Sequence, residues 1–124
     1  MATKDLTHEE FAPAVEGEGI VFVDFWAAWC GPCRAFAPVF EQASEQHPDI
    51  LFTKVDTEAE QQLAAEFQIT SIPTLMVFRD GILVYAQPGA LRAQQLDQLI
   101  QGARELDMDD VRRQIAEHET EPSS

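Results

Sequence analysis

Cysteine, basic residues and long apolar runs are all scarce in this 124-residue chain, and each scarcity excludes something. The only two cysteines, Cys30 and Cys33, are three positions apart. A disulfide closing so short a loop would remove little unfolded-state entropy, so stapling is a weak role for the pair. Eight Lys and Arg residues stand against 22 Asp and Glu, for a formal net charge of -14. That balance lacks the basic footprint needed to neutralise phosphates, so neither nucleic acid nor an anionic membrane surface is expected as a partner. The longest apolar stretch, Ile20 to Cys30, is interrupted by Asp24 and is too short to span a bilayer. Asp5, Glu9, Glu10, Glu16 and Glu18 break up any apolar run before it, so no secretory leader is expected and the cytoplasm is the expected compartment.

The length suits one compact domain with a single core. Thr7 and Glu10 have the spacing of a capping box, predicting a helix from about His8 that Pro13 keeps short or kinks. Ile20 to Trp26 is a β-rich apolar run and predicts a central strand covered on both faces. Beyond Cys33 the period becomes helical, with Phe36, Val39, Phe40 and Ala43 on one face, Pro38 as a predicted kink and His47-Pro48 as the stop. Leu51 to Asp56 reads as a second strand, giving a βαβ unit with parallel strands. Further on, the pattern predicts a helix over about Glu58 to Phe67, a hairpin of Thr74–Phe78 and Ile82–Ala86 separated by Arg79-Asp80-Gly81, and a helix from near Leu91 or Arg92 past Gly102. Leu106, Val111 and Ile115 suggest one more short helix, with Asp107 or Asp109 as N-cap, before a polar, disordered end at Glu119 to Ser124.

The cysteines thus fall where a strand hands over to a helix N-terminus. There, free backbone N–H groups and a partial positive charge favour a thiolate. Pro32 suits the first helical turn, where its missing N–H would have had no partner. Two intervening residues let the sulfurs reach bonding distance from a helical turn, so the pair can open and close reversibly. Cys30 is the expected nucleophile on a target disulfide, and Cys33, one turn deeper, the residue that resolves the mixed disulfide. Zinc is the competing reading, but two thiolates are half a structural site and His8, His47 and His118 have no finger-like spacing. No metal or organic cofactor is expected; the Cys30–Cys33 pair is itself the electron carrier.

Asp24 is the second informative residue, because an acid in a buried strand needs pairing, protonation or a function to offset its desolvation. It shares strand parity with Trp26, six residues before Cys30, and is a candidate to exchange a proton with Cys33. Lys54 on the neighbouring strand is a candidate to tune it. An outward-facing Asp24, or a merely structural Asp24–Lys54 pair, is the alternative.

These residues, Val23-Asp24-Phe25-Trp26-Ala27-Ala28-Trp29-Cys30-Gly31-Pro32-Cys33, resemble the thioredoxin family, and the similarity covers about Asp5 to Ala103. Pro38 resembles the family's helix-kinking proline, Lys54 its buried lysine, Ser71-Ile72-Pro73-Thr74 its cis-proline loop, and Gly81 its hairpin glycine. The resemblance implies an α/β thioredoxin fold, a central mixed sheet flanked by helices, over residues 1–103, with 104–124 as a C-terminal extension. It also implies a substrate groove formed by Trp29, Gly31, Pro32, Ile72, Pro73 and Gly89, across which an extended client segment would pair with the Ile72 backbone. Gln87-Pro88 before Gly89 departs from the family's pattern, and the family's first strand is barely visible, with Leu6 its one strongly apolar residue.

The implied activity is reduction of protein disulfides by a monomer, recharged by a thioredoxin reductase. Two alternatives stand beside it: a disulfide oxidase or isomerase, and a binding or co-chaperone module that uses residues 104–124.

Overall fold

The structure is a computed structural model and describes residues 2–120. Among these, five strands and five helices follow the order β1 (Lys4–Asp5), α1 (His8–Glu16), β2 (Ile20–Trp26), α2 (Gly31–Gln46), β3 (Leu51–Asp56), α3 (Gln61–Glu66), β4 (Thr74–Arg79), β5 (Ile82–Pro88), α4 (Ala93–Glu105) and α5 (Met108–Thr120). The strands form one mixed sheet in the order β1-β3-β2-β4-β5. β3 runs parallel to both β1 and β2, whereas β4 is antiparallel to β2 and to β5. The fold is therefore the expected α/β architecture, and β1, two residues long, supplies the strand that the sequence barely signals.

Local chemistry sets the element ends. At α1 the Thr7 hydroxyl accepts from the Glu10 N–H (3.3 Å) and the Glu10 carboxylate accepts from the Thr7 N–H (3.0 Å), the capping box anticipated above. The β4–β5 turn places Asp80 at φ 52° and Gly81 at φ 80°, the two left-handed positions of a type I′ hairpin. A Cβ at Gly81 would also sit 2.9 Å from the Glu16 carbonyl oxygen, so this position needs glycine on two counts.

Four boundaries differ from expectation. α3 begins at Gln61 rather than Glu58, because the Asp56 carboxylate accepts from the Glu58 N–H (2.9 Å) and holds residues 57–59 in turns. The hairpin strands run on to Arg79 and Pro88. α5 includes Glu119 and Thr120, expected to be disordered, and the rest of that segment, 121–124, lies outside the described residues. Asp107, not Asp109, is the residue before this helix, accepting from the Asp110 N–H at 3.2 Å.

Each sheet face has its own core. Phe22, Phe52, Leu75 and Val77 pack against Phe36 and Phe40 of α2 and Leu96 and Ile100 of α4, with Phe22 and Phe52 stacked at 5.2 Å. On the opposite face Val21, Val23, Phe25 and Met76 meet Phe11 and Val15 of α1 and Leu63 of α3. Each buried side chain of this size contributes about 1.5–3 kcal/mol, and together they fix β2 at the centre of the sheet. Its C-terminal end leads directly into the cysteine motif.

α5 attaches at the other end of the sheet. Arg79 Nη1 donates to the carbonyls of Ala103 (2.9 Å) and Leu106 (2.6 Å) at the α4–α5 junction. Arg112 of α5 lies 3.5 Å from the Asp80 carboxylate, and Met108 is buried. A second clasp ties α4 to the α2–β3 loop: Arg104 forks onto both Asp49 oxygens (2.6 and 3.0 Å) and holds that carboxyl down to about 2.

Candidate active site

The parallel pairing of β2 with β3 runs to Trp26↔Asp56, where the Trp26 carbonyl accepts from the Thr57 N–H (2.9 Å) and hydroxyl (3.0 Å). That anchors the last residue of β2. The chain then turns through Ala27–Trp29, with the Cys30 N–H donating to the Ala27 carbonyl at 3.2 Å, and enters α2. Cys30 is the N-cap: its Sγ accepts from the Cys33 N–H at 3.2 Å. Pro32 occupies the first turn, as expected.

Cys30 and Cys33 form a disulfide, their Cα atoms 5.2 Å apart. Both residues are buried, Cys33 at 2 % exposure and Cys30 at 4 %. They pack with Ala27, Trp26 and Ile72. The Ile72 carbonyl oxygen approaches Cys30 Sγ to 3.7 Å, which identifies Cys30 as the sulfur facing the Ile72–Pro73 loop. The Ile72–Pro73 bond is cis, and the Pro73 carbonyl accepts from the N–H of Gly89 (2.8 Å), whose φ of 112° suits glycine. Gly31, Pro32 and Gly89 are exposed, and Trp29 is 68 % exposed beside the disulfide. Arg34, an exposed residue of the first turn of α2, also ties back the loop below Trp29 through an Nη1 hydrogen bond to the Ala28 carbonyl (3.4 Å).

Asp24 lies in mid-β2 with no exposed surface. Its register partners are Lys54 on β3 and Leu75 on β4. Strand parity puts Asp24 on the α2 face with Phe22, beneath the helix that carries Cys33. Neither carboxylate oxygen has a hydrogen-bond partner among the described residues. Burial pushes the carboxyl up to about 7, against the opposing pull of the Lys54 ammonium. The outward-facing alternative is therefore excluded, and so is a direct ion pair. Lys54 Nζ instead sits 4.8 Å over the Trp26 ring. Sequence reasoning assigns Trp26 no part in this contact; its two-residue offset from Asp24 on the same face is the available signal for it. No group of three or more metal-ligating side chains occurs among the described residues.

A close-set disulfide at a helix N-terminus, facing a cis-proline loop at the end of a mixed sheet, defines a thiol–disulfide oxidoreductase. The chain belongs to the thioredoxin family: the Thioredoxin family model matches residues 2–102. It is 51% identical over 120 residues to "Putative thioredoxin 2" of Streptomyces coelicolor, spanning 97% of this chain and 90% of that one. A 72-residue stretch, 57% of this chain, is 46% identical to 16% of the "Bifunctional thioredoxin reductase/thioredoxin" of Mycobacterium leprae. Among solved structures, the short form of thioredoxin F from spinach chloroplast superposes with a TM-score of 0.76 at 32% identity, covering 84% of this chain and 95% of its own. The activity is protein-disulfide reduction through a redox-active cysteine pair. No described helix is long and apolar enough to cross a membrane.

Proposed function

We propose that the chain is a general dithiol reductant whose Cys30 thiolate attacks a client disulfide and whose Cys33 completes the transfer. The attack joins Cys30 Sγ to one client sulfur and expels the other as a thiolate, which takes up a proton from solvent. Cys33, deprotonated, then attacks Cys30 Sγ, reforming the disulfide seen here and releasing the second client thiol. Two electrons pass to the client in each cycle. Asp24 is the proton acceptor for Cys33 in this reading, supported by its buried, unpartnered carboxylate and its elevated pKa of about 7. Lys54 keeps that pKa from rising further.

Client segments lie across Trp29, Gly31, Pro32, Ile72, Pro73 and Gly89, where exposed Trp29, Gly31, Pro32 and Gly89 surround half-buried Ile72 and buried Pro73 and form a largely apolar surface that suits varied side chains. Recharging falls to a thioredoxin reductase, a reading supported by the M. leprae relative whose name joins the two activities. Residues 1–103 serve as the redox domain and 104–120 as a helical extension docked at the opposite end of the sheet, with the protein working as a cytoplasmic monomer.

The observation that carries this reading is Cys30 Sγ at the α2 N-terminus, 3.2 Å from the Cys33 N–H. The test is reductase-coupled insulin reduction. Turnover by the full chain, its loss in Cys30→Ser, and covalent trapping of clients by Cys33→Ser are the expected results; a binding module would give no turnover. An oxidase or isomerase would instead remain largely reduced in oxidising glutathione buffer, where a reductant of this class is largely oxidised.

A further inference from the structure

Few charges are to be expected near the sulfur pair only if the protein spares that region, because a quarter of the chain is charged and the net charge is -14. Beside the Ile72–Pro73 loop lies a cavity of about 190 Å³ lined by no charged side chain. Phe67, Ile69 and Met76 supply apolar wall, while Thr70, Ser71 and Gln87 supply neutral polar wall. Thr74 and Met76 share strand parity, and their β5 register partners Pro88 and Ala86 close the other side. The site is preformed: the Ile69 N–H donates to Ala64 (2.9 Å), the Gln68 N–H to Ala65 (3.0 Å), and the Thr74 hydroxyl to Ser71.

Its position relative to the sulfur follows from chain neighbours, one close approach and one backbone hydrogen bond. Ser71 and Thr74 flank the loop whose Ile72 carbonyl lies 3.7 Å from Cys30 Sγ, and Pro88 precedes Gly89, whose N–H donates to the Pro73 carbonyl. A client joined to Cys30 advances about 3.3 Å per residue in extended form, so its side chains two or three positions from the bonded cysteine come level with this cavity.

We propose that the cavity between residues 67–71 and 86–88 is a client subsite that takes an uncharged, mainly aliphatic side chain two or three residues from the reacting cysteine. This rests on the reductase reading above and adds a selection rule to it. A lysine there would lose hydration without finding a carboxylate, and a glutamate would find no base. The rule opposes the protein's overall field, which favours cationic clients at every position.

The test uses pre-reduced full-length protein in single turnover against peptides whose lone cysteine is blocked as a mixed disulfide with thionitrobenzoate. Attack on the peptide sulfur releases the coloured thiolate, and Cys33 then frees the peptide thiol as the protein disulfide forms. Leu, Lys or Glu is placed at each of three positions on either side of the cysteine. Leu is expected to react about fivefold faster than Lys at one position two or three from the cysteine. Thr70→Glu, on an exposed wall residue, reverses that order at the same position and leaves the others within about twofold; Gln87→Glu repeats the result from the opposite wall. Lys equalling or outpacing Leu at every position overturns the subsite while leaving the reductase reading intact, as does an effect of Thr70→Glu spread evenly over all positions. Failure to react with any peptide overturns both.

Discussion

Asp24 and Lys54 are register partners across the parallel β2–β3 ladder, yet no ion pair joins them. The lysine lies over the Trp26 ring and acts on the carboxyl only through space. The carboxyl consequently keeps its proton to near neutrality, a costly arrangement for a buried strand and a useful one beneath a thiol that must deprotonate.

Asp24→Asn should stabilise the protein, and the sign follows from the raised carboxyl. Below about pH 4 Asp24 is protonated in both folded and unfolded states, so its ionisation adds no penalty to folding. Between about 4 and 7 the unfolded chain releases a proton that the folded chain holds, so stability falls as pH rises. Above about pH 7 the penalty is complete, on the order of 4 kcal/mol. Urea unfolding of oxidised protein at about pH 4 and about pH 8 checks this: the Asn variant gains little at the lower pH and on the order of 4 kcal/mol at the higher. The same variant should slow the release of trapped client near neutral pH, read by quenched-flow.

Gly81→Ala tests the hairpin. The φ of 80° and the approach of Glu16 to within 2.9 Å of an added Cβ predict a loss of about 1–3 kcal/mol, measured by thermal unfolding. Reduction of insulin at room temperature should be unchanged, because the turn lies at the end of β4 away from the cysteines.

Arg79→Met removes the donor shared by the Ala103 and Leu106 carbonyls. A charged donor in this place is worth about 1.5–3 kcal/mol, so a loss of that size is expected, with faster amide exchange across the start of α5. Deleting residues 107–124 should also lower stability, since Met108 and the Arg112–Asp80 contact go with it, while insulin reduction persists.

Much of the fold is legible in the amino-acid sequence alone. The capping box at Thr7 and Glu10, the alternation-free run of β2 and the Cys30-Gly31-Pro32-Cys33 entry into α2 are local signals, and local hydrogen bonding decides them. β1 is nearly silent because a two-residue strand has no period to read; its identity comes from pairing with Thr53 and Lys54, far along the chain. The start of α3 is misplaced by periodicity because the Asp56 side chain competes with the helix for the backbone N–H groups that follow it. At the site, the cysteines, Asp24 and the Ile72–Pro73 loop are marked by residue type. The Lys54–Trp26 contact and the uncharged cavity are not, since each depends on register between strands distant in sequence.

The most direct measurement is the pH dependence of iodoacetamide alkylation of reduced protein, with mass spectrometry assigning each adduct. Cys30 should alkylate first, with a midpoint below the free-thiol value of about 8.5, and Cys33 should react far more slowly. A Cys30 midpoint at or above that free-thiol value, or equal rates at the two sulfurs, would contradict a helix-activated nucleophile with a sheltered resolving partner.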